Sequence, residues 1–482
     1  MYDVIVIGGG PAGVTAALRA GELGATVALV ERQQLGGTCT HEGCAPTRVM
    51  AKTARLMRDS QHFEEFGLIG ERPRVDFPAL IARTQQTTER LHSKKQLEGH
   101  LTRAGIAVFL NAGDAAFSGP HTLRLERGPE LEGRSFILCA GGRARELSFP
   151  GSEYAITYTQ VWTLPDLPRS VAIFGGAATG CQLGSILAEL GSDVTILERG
   201  PRLLGREDRM ISDAVAQAFE RRGMHVYLGA EALERIERAP EGLVIHYKHL
   251  GDTHERIVDA VVLAVGWPSN ADTLNLAAAG VATERGFVVV DDYLRTTASH
   301  IFAAGDINGQ MMLVQSASYE GRIAAENAVL GIGQRYVHSV VPHGGFTDPE
   351  YAGVGLTEEE ARAVEEDCLV AVVPYADLDR AVIDDRTTGY CKLIVSQDSH
   401  RILGAHIVGE QALEAIQLVA AGMVADMWVE HLAELELAYP TYTSIVGLAA
   451  RRLVRELGVM PMAATWQALG APHVAEWERS EA

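Results

Sequence analysis

Residues 2–31, YDVIVIGGGPAGVTAALRAGELGATVALVE, constrain the fold more than any other part of the chain. An apolar run that reads as a strand ends in Gly8-x-Gly10-x-x-Gly13. Pro11 and Ala12 open a helical stretch, and a second apolar strand, TVALVE, ends in Glu31. The glycines permit a tight turn and let a pyrophosphate approach the helix N-terminus. There, unpaired N–H groups and the helix dipole favour an anion. An acid at the end of the second strand binds a ribose hydroxyl pair. A lone glycine triplet is weak evidence; strand, glycines, helix, strand and acid in this order read as a dinucleotide site.

The unit recurs at residues 170–198, SVAIFGGAATGCQLGSILAELGSDVTILE. Here the pattern is Gly175-x-Ala177-x-x-Gly180, with Thr179 inside it and Glu198 at the end. Ala177 replaces the middle glycine and narrows the approach. The alternative is a structural βαβ unit with no ligand. Glu198 suits an unphosphorylated ribose and hence NADH, whereas Arg199 and Arg202 would meet a 2′-phosphate. NADH is favoured.

Between the two units lies LGGTCTHEGCAPTR, residues 35–48, with Cys39 and Cys44 separated by four residues. From Pro46 onward the apolar positions Val49, Met50, Leu56 and Met57 fall at helical spacing. Proline is tolerated in a first turn, where its missing N–H costs little. Both cysteines are therefore expected where a loop enters a helix, a position that lowers a thiol pKa. Two cysteines at this spacing can close a short, reducible disulfide loop. A purely structural disulfide and a pair of buried thiols remain open. A zinc site on Cys39, His41 and Cys44 is weaker, because no second ligand pair stands at finger spacing, and no metal ligands are assigned.

The 482 residues suggest about three domains of ~150 residues each. An apolar content of 47% supports large cores, and a net charge of −20 argues against nucleic acid or an anionic membrane as the main partner. No run reaches the ~18 apolar residues of a membrane span. The first strand begins at Tyr2, which leaves no room for a signal peptide. Six cysteines do not make a secreted scaffold; a reducing cytoplasm is expected, where a close cysteine pair is more often catalytic.

Two dinucleotide units flanking this cysteine motif resemble the flavoprotein disulfide reductases, the family of dihydrolipoamide dehydrogenase, glutathione reductase and mercuric reductase. GGTCTHEGCAPTR is similar to the family's redox-active segment, and TTASHIFAAGD (296–306) to its second flavin motif. ILCAGG (137–142) and VLAVGWPSN (262–270) resemble its two crossing segments, without the usual threonine and arginine. FTDPEYAGVGLTEEEA (346–361) is similar to the start of its C-terminal domain.

The resemblance implies an α/β fold with two Rossmann-like domains, for FAD and NAD(P), plus a C-terminal α+β dimerisation domain. The FAD domain would be residues 1–150 and 271–340, the NAD(P) domain 151–270 and the dimerisation domain 341–460, in a homodimer. The tail 461–482 has no counterpart in the family and is not assigned. FAD would be held by Gly8, Gly10, Pro11, Ala12, Gly13 and Glu31, by Gly37, Thr38 and Arg48, by Ala115, Ala140 and Gly141, and by Gly305, Asp306, Leu313 and Gln315. Asp306 would hold the ribityl chain. NAD(P)H would meet Gly175, Ala177, Thr179, Gly180, Glu198, Arg199 and Gly266. By resemblance, Cys39 and Cys44 form the disulfide, Cys44 lies against the flavin and Cys39 attacks substrate. The remaining cysteines are expected as buried thiols.

Three departures bear on function. Where the family has a His-Pro dipeptide and then an acid, this chain has Tyr439-Pro440 and Ser444. Tyrosine is a poor base at neutral pH. Arg48 replaces a lysine and Gln182 a glutamate; these would hydrogen-bond each other near the flavin and carry one net positive charge. The expected activity is an NAD(P)H oxidoreductase whose acceptor is a metal ion, a quinone or a protein rather than a soluble disulfide. The alternatives are a dihydrolipoamide dehydrogenase-like enzyme, a mercuric reductase-like enzyme and a low-turnover redox sensor. Against mercury, the chain ends WERSEA without a terminal cysteine pair and has no N-terminal CxxC module. The Tyr439–Pro440 bond is expected to be cis, with the phenol directed toward the partner subunit's Cys39 and donating a hydrogen bond rather than acting as base.

Overall fold

A computed structural model of the protein describes residues 1–331 and 333–459; the unassigned tail 461–482 lies outside the described residues. The first sheet runs Ala107–Phe109, Val27–Val30, Tyr2–Ile7, Glu130–Leu138 and Ile301–Ala303, all parallel. Two antiparallel strands, Thr122–Leu125 and Ala115–Gly119, extend from the first half of Glu130–Leu138. Val4 to Ile7 and Val27 to Val30 are buried throughout, as strands covered on both faces must be. Helices Pro11–Glu22 and Val314–Leu330 cover one face and touch closely: a Cβ on Gly321 would lie 2.3 Å from the Ala12 carbonyl oxygen.

The second sheet is also parallel, in the order His225–Leu228, Asp193–Glu198, Ser170–Phe174, Ala260–Leu263 and Ile156–Thr157. A three-stranded antiparallel meander, Ala230–Ala239, Gly242–His249 and Asp252–Val258, packs beside it. A third, antiparallel sheet spans His343–Gly345, Tyr351–Gly355, Ile402–Val408, Tyr390–Val395 and Leu369–Pro374. Helices Ala412–Val424 and Ser444–Glu456 pack on it through a continuous apolar core. Residues 391–409 are two strands joined by a polar turn, and 77–99 is mostly helical.

Buried charge ties the second and third sheets together. Lys392, 1% exposed, donates to Asp208 Oδ1 at 2.8 Å and Glu358 Oε2 at 2.7 Å. Asp208 also caps the helix Arg209–Arg221 by accepting from the Met210 N–H. A lysine is buried here only because two carboxylates neutralise it. Among the described residues, no helix is long and apolar enough to cross a membrane.

Candidate active site

The first glycine turn is built by steric necessity. Gly8 has φ +108, and a Cβ on it would lie 2.2 Å from the Cys139 carbonyl oxygen. A Cβ on Gly13 would lie 1.7 Å from the Gly8 oxygen, so this turn excludes any larger residue. Gly10 is the N-cap of the helix that Pro11, Ala12 and Gly13 open, with no side-chain cap to occupy its first N–H groups. Glu31 accepts from the Gly9 N–H at 2.6 Å and from the Gln33 N–H at 2.9 Å. A small-residue cradle at an uncapped N-terminus, with an acid on the neighbouring strand, fits a dinucleotide.

The cysteine segment lies directly against this turn. A Cβ on Gly37 would lie 2.9 Å from the Gly10 Cα, and Gly37 has φ +60. Thr38 and Cys39 belong to a short helix of their own, Gly37–His41, and Cys44 begins the helix Cys44–Ser60. Cys39 is therefore helical, not in the loop the sequence indicates; the chain needs the turn at 42–43 to place two helix ends together. Both cysteines are thiols here, in hydrogen-bond contact, so the expected disulfide is not formed in this structure. The bond to Cys44 and the Lys95 ammonium bring Cys39 from its ordinary 9.0 down to about 7, against burial and the Asp306 carboxylate. Cys44 is pushed up, because the pair shares one proton and is partly enclosed. Lys95 is fixed beside Cys39 by its 2.8 Å bond to Thr40 Oγ1. Cys139, Cys181, Cys368 and Cys391 are buried free thiols, as expected.

The second flavin motif converges on the same place. A Cβ on Gly305, φ +78, would lie 3.3 Å from that of Ala12. The Gly305 N–H donates to the fully buried Glu320, which also accepts from Asn308, both at 2.7 Å. Asp306 accepts from the Trp267 indole N–H at 2.8 Å, and burial raises its pKa. Ala140 and Gly141 present carbonyls to Asn270, which donates to them from its side chain at 2.8 Å and its backbone at 3.0 Å. Leu313 precedes the helix Val314–Leu330, and Gln315 donates to the Pro342 carbonyl at 2.9 Å. Ala115 begins the strand Ala115–Gly119 and is buried in the core.

The second dinucleotide unit repeats the first in detail. A Cβ on Gly180 would lie 1.8 Å from the Gly175 carbonyl oxygen, and one on Gly175 2.3 Å from that of Ala264. Ala177 is the N-cap of the helix Ala178–Leu190, which holds Thr179 and again has no side-chain cap. Glu198 accepts from the Gly176 and Gly200 N–H groups, each at 2.5 Å. Arg202 is drawn away to the Gly205 carbonyl at 2.8 Å, while Arg199 is exposed. Gly266, φ +135, packs against the Arg145 side chain.

Arg48 and Gln182 do not bond each other. Arg48 Nη1 donates to Glu350 Oε1 at 2.9 Å and lies over the Phe346 ring at 4.5 Å. Gln182 accepts from the Phe346 N–H at 3.0 Å and donates to the Ala178 carbonyl. A neutral amide has no charge to hold a guanidinium, and the buried carboxylate of Glu350, shared with Arg55 at 2.8 Å, takes that place. Glu350, Glu320, Trp267 and Lys95 were not singled out from sequence, although Glu350 stands in the quoted FTDPE and Trp267 in GWPSN. The Tyr439–Pro440 bond is cis, and the Tyr439 hydroxyl donates to Asp379 Oδ2 at 2.5 Å. Ser444 Oγ contacts Thr441 Oγ1 at 3.1 Å.

Comparison with known proteins bears on the fold and the family. Residues 2–321 match the pyridine nucleotide-disulphide oxidoreductase family and residues 341–450 its dimerisation domain. The chain is 33% identical over 450 residues to dihydrolipoyl dehydrogenase of Zymomonas mobilis, covering 91% of this chain and 95% of that one. It is 31% identical over 452 residues to mercuric reductase of Lysinibacillus sphaericus, covering 93% and 82%. The HOCl-induced flavoprotein disulfide reductase RclA of Escherichia coli superposes with a TM-score of 0.83 at 30% identity, covering 93% of this chain and 99% of that one. With its parallel-sheet units, cysteine-bearing helices and dimerisation domain, the chain belongs to the pyridine nucleotide-disulphide oxidoreductases, an enzyme family whose chemistry implies FAD and NAD(P)H.

Proposed function

We propose that the protein is an NADH-dependent flavoenzyme that passes electrons through Cys39 and Cys44 to a reducible metal ion, Cu(II) foremost, rather than to a soluble disulfide. Residues 1–150 and 271–340 carry FAD in this reading, 151–270 carry NADH and 341–460 form the homodimer, in a reducing cytoplasm. The carrying observation is at Tyr439. A phenol tied to Asp379 stands where the resemblance calls for an imidazole, and Ser444 where it calls for an acid. A phenol can donate a hydrogen bond but cannot accept a thiol proton at neutral pH. Reduction of Cu(II) needs no proton delivered to a leaving thiolate: two Cu(II) take one electron each, the two thiols lose their protons and one disulfide forms. A structural neighbour described as a Cu(II) complex of RclA supports the choice of metal.

Bound FAD supplies two-electron transfer between the nicotinamide and the disulfide. The chain's own residues orient that exchange. Gly10 and Gly37 set the cofactor turn against the cysteine helix, and the Lys95 charge favours an anionic Cys39. Glu198, with both oxygens held by backbone N–H groups, repels a 2′-phosphate and supports NADH.

A dihydrolipoamide dehydrogenase-like activity is the second reading, favoured by the 33% identity to that enzyme. The test is an acceptor screen with NADH and NADPH against Cu(II), Hg(II), quinones, lipoamide and glutathione disulfide. Rapid flavin reduction by NADH, with turnover on Cu(II) well above that on either disulfide, is expected. Faster turnover on lipoamide would replace the first reading with the second. Flavin reduction without turnover on any acceptor would identify a redox sensor.

A further inference from the structure

We infer that Trp267 is a positioning residue of the flavin site, whose indole N–H holds the Asp306 carboxylate as an acceptor for a hydroxyl of the bound ribityl chain. The inference rests on the proposed placement of Asp306 at the flavin.

The indole is fixed from several sides. Its Nε1 donates to Asp306 Oδ2 at 2.8 Å, and among the described residues no other side chain donates to that carboxylate. The ring lies across the other crossing segment: a Cβ on Gly142 would fall 2.5 Å from Nε1 and 2.7 Å from the Pro268 carbonyl oxygen. Gly142 is therefore the residue that admits the indole. The two crossing segments are pinned together around it, by the Gly142–Ser269 bridge and by the Arg143 N–H donating to the Pro268 carbonyl at 2.9 Å. Tyr158 closes the remaining side, its ring centroid 6.1 Å from that of Trp267. Backbone packing thus sets the direction of the indole N–H.

Asp306 needs such a donor. Burial raises its pKa, the Glu320 carboxylate pushes the same way, and the indole bond, more than the Asp306 backbone N–H, opposes both. Cys39, Cys44 and Tyr158 also feel the Asp306 charge, while His338 lies on the far side of Glu320 at 2.7 Å. Indole carries a donor and no acceptor, so it can only favour the ionised carboxylate. With the indole on Oδ2, the carboxylate keeps lone pairs to accept a ligand hydroxyl. A protonated Asp306 would present a donor in place of one of those acceptors.

The test is the FAD dissociation constant of reconstituted full-length apoprotein from pH 5.5 to 8.5. The set is the parent, Trp267→Phe, Trp267→Gln, Asp306→Asn and the Trp267→Phe/Asp306→Asn double variant, with thermal melts checking folding. Trp267→Phe is expected to weaken FAD about tenfold at pH 7, the size of one lost charge-assisted hydrogen bond, and more at lower pH as Asp306 protonates. Trp267→Gln keeps a non-titrating N–H and should hold the parent's pH profile, which carries the test if Trp267→Phe does not fold. In the Asp306→Asn background, Trp267→Phe should add less than about a further twofold, as expected of one coupled pair. A pH-independent loss that adds in full to that of Asp306→Asn would make the indole mere packing and overturn the inference. If Asp306→Asn weakens FAD and Trp267→Phe does not, the inference alone fails. If Asp306→Asn binds FAD as the parent does, the placement of Asp306 fails and takes the inference with it.

Discussion

Replacing Cys44 by alanine should convert Cys39 from a thiol about half ionised at neutral pH into an ordinary thiol. The Cys44 hydrogen bond is the largest of the influences that bring Cys39 from 9.0 to about 7. Without it, burial and the Asp306 carboxylate act against Lys95 and the backbone N–H of residue 44, and the midpoint should climb back toward 9. At pH 7 the thiolate fraction would fall from about one half to about 1%, roughly fiftyfold. A more basic thiolate is intrinsically more nucleophilic, by roughly eightfold over that interval. The net expectation is that iodoacetamide alkylates Cys39 about sixfold more slowly than in the parent at pH 7. The two rates should cross near pH ~8, and the variant should be faster above it. Alkylation of dithiothreitol-reduced protein between pH 5 and 10, with Cys39 quantified by mass spectrometry, gives both midpoints. A midpoint near 7 in Cys44→Ala would refute the hydrogen bond as the cause. A low midpoint at Cys44 in Cys39→Ala, with an ordinary one at Cys39 in Cys44→Ala and in the parent, would show that the shared proton sits on the wrong sulfur.

Three further outcomes are expected. Tyr439→Phe, which removes the hydroxyl bonded to Asp379, should leave flavin reduction by NADH unchanged and slow the acceptor half-reaction about tenfold, the equivalent of ~1.4 kcal/mol; identical stopped-flow traces with every acceptor would reduce the side chain to packing. Lys392→Met leaves the buried Asp208 carboxylate without its cation, while the half-buried Glu358 keeps Arg362 at 3.0 Å, and should cost about 3–5 kcal/mol in denaturant unfolding, whereas an unchanged midpoint would mean water reaches Asp208. Gly180→Ala places a methyl 1.8 Å from the Gly175 carbonyl and should abolish NADH binding by calorimetry while FAD stays bound; normal affinity would show that the turn relaxes.

The parts legible in sequence are those whose causes are local. Glycine spacing and the terminal acids Glu31 and Glu198 are set within about thirty residues, and each acid meets its own glycine turn as the pattern implies. The cis bond at Tyr439–Pro440 is equally local. The charge pairing of Arg48 was not legible. Its partner Glu350 lies 302 positions away, and nothing between them marks which of many carboxylates the fold will bring to it. The same holds for Trp267 and Asp306, 39 positions apart on different segments. Sequence could say that the crossing segments lacked the usual threonine and arginine, but not that the Trp267 indole would reach Asp306. Cys39 was misplaced by a smaller margin: five helical residues, Gly37–His41, are too short to show a periodicity.

The contact of Gly37 with Gly10 has a consequence for how such an enzyme changes its task. The span between cofactor turn and dithiol is set by main chain against main chain, with no room for a single added carbon. In the proposed electron route, side-chain drift therefore cannot lengthen the step from cofactor to dithiol at this contact. The outward half is the reverse. Tyr439, half-exposed with its hydroxyl on Asp379, can be exchanged without touching that fixed span. A chain built this way can trial new electron acceptors at its rim while its inner wiring keeps the same length.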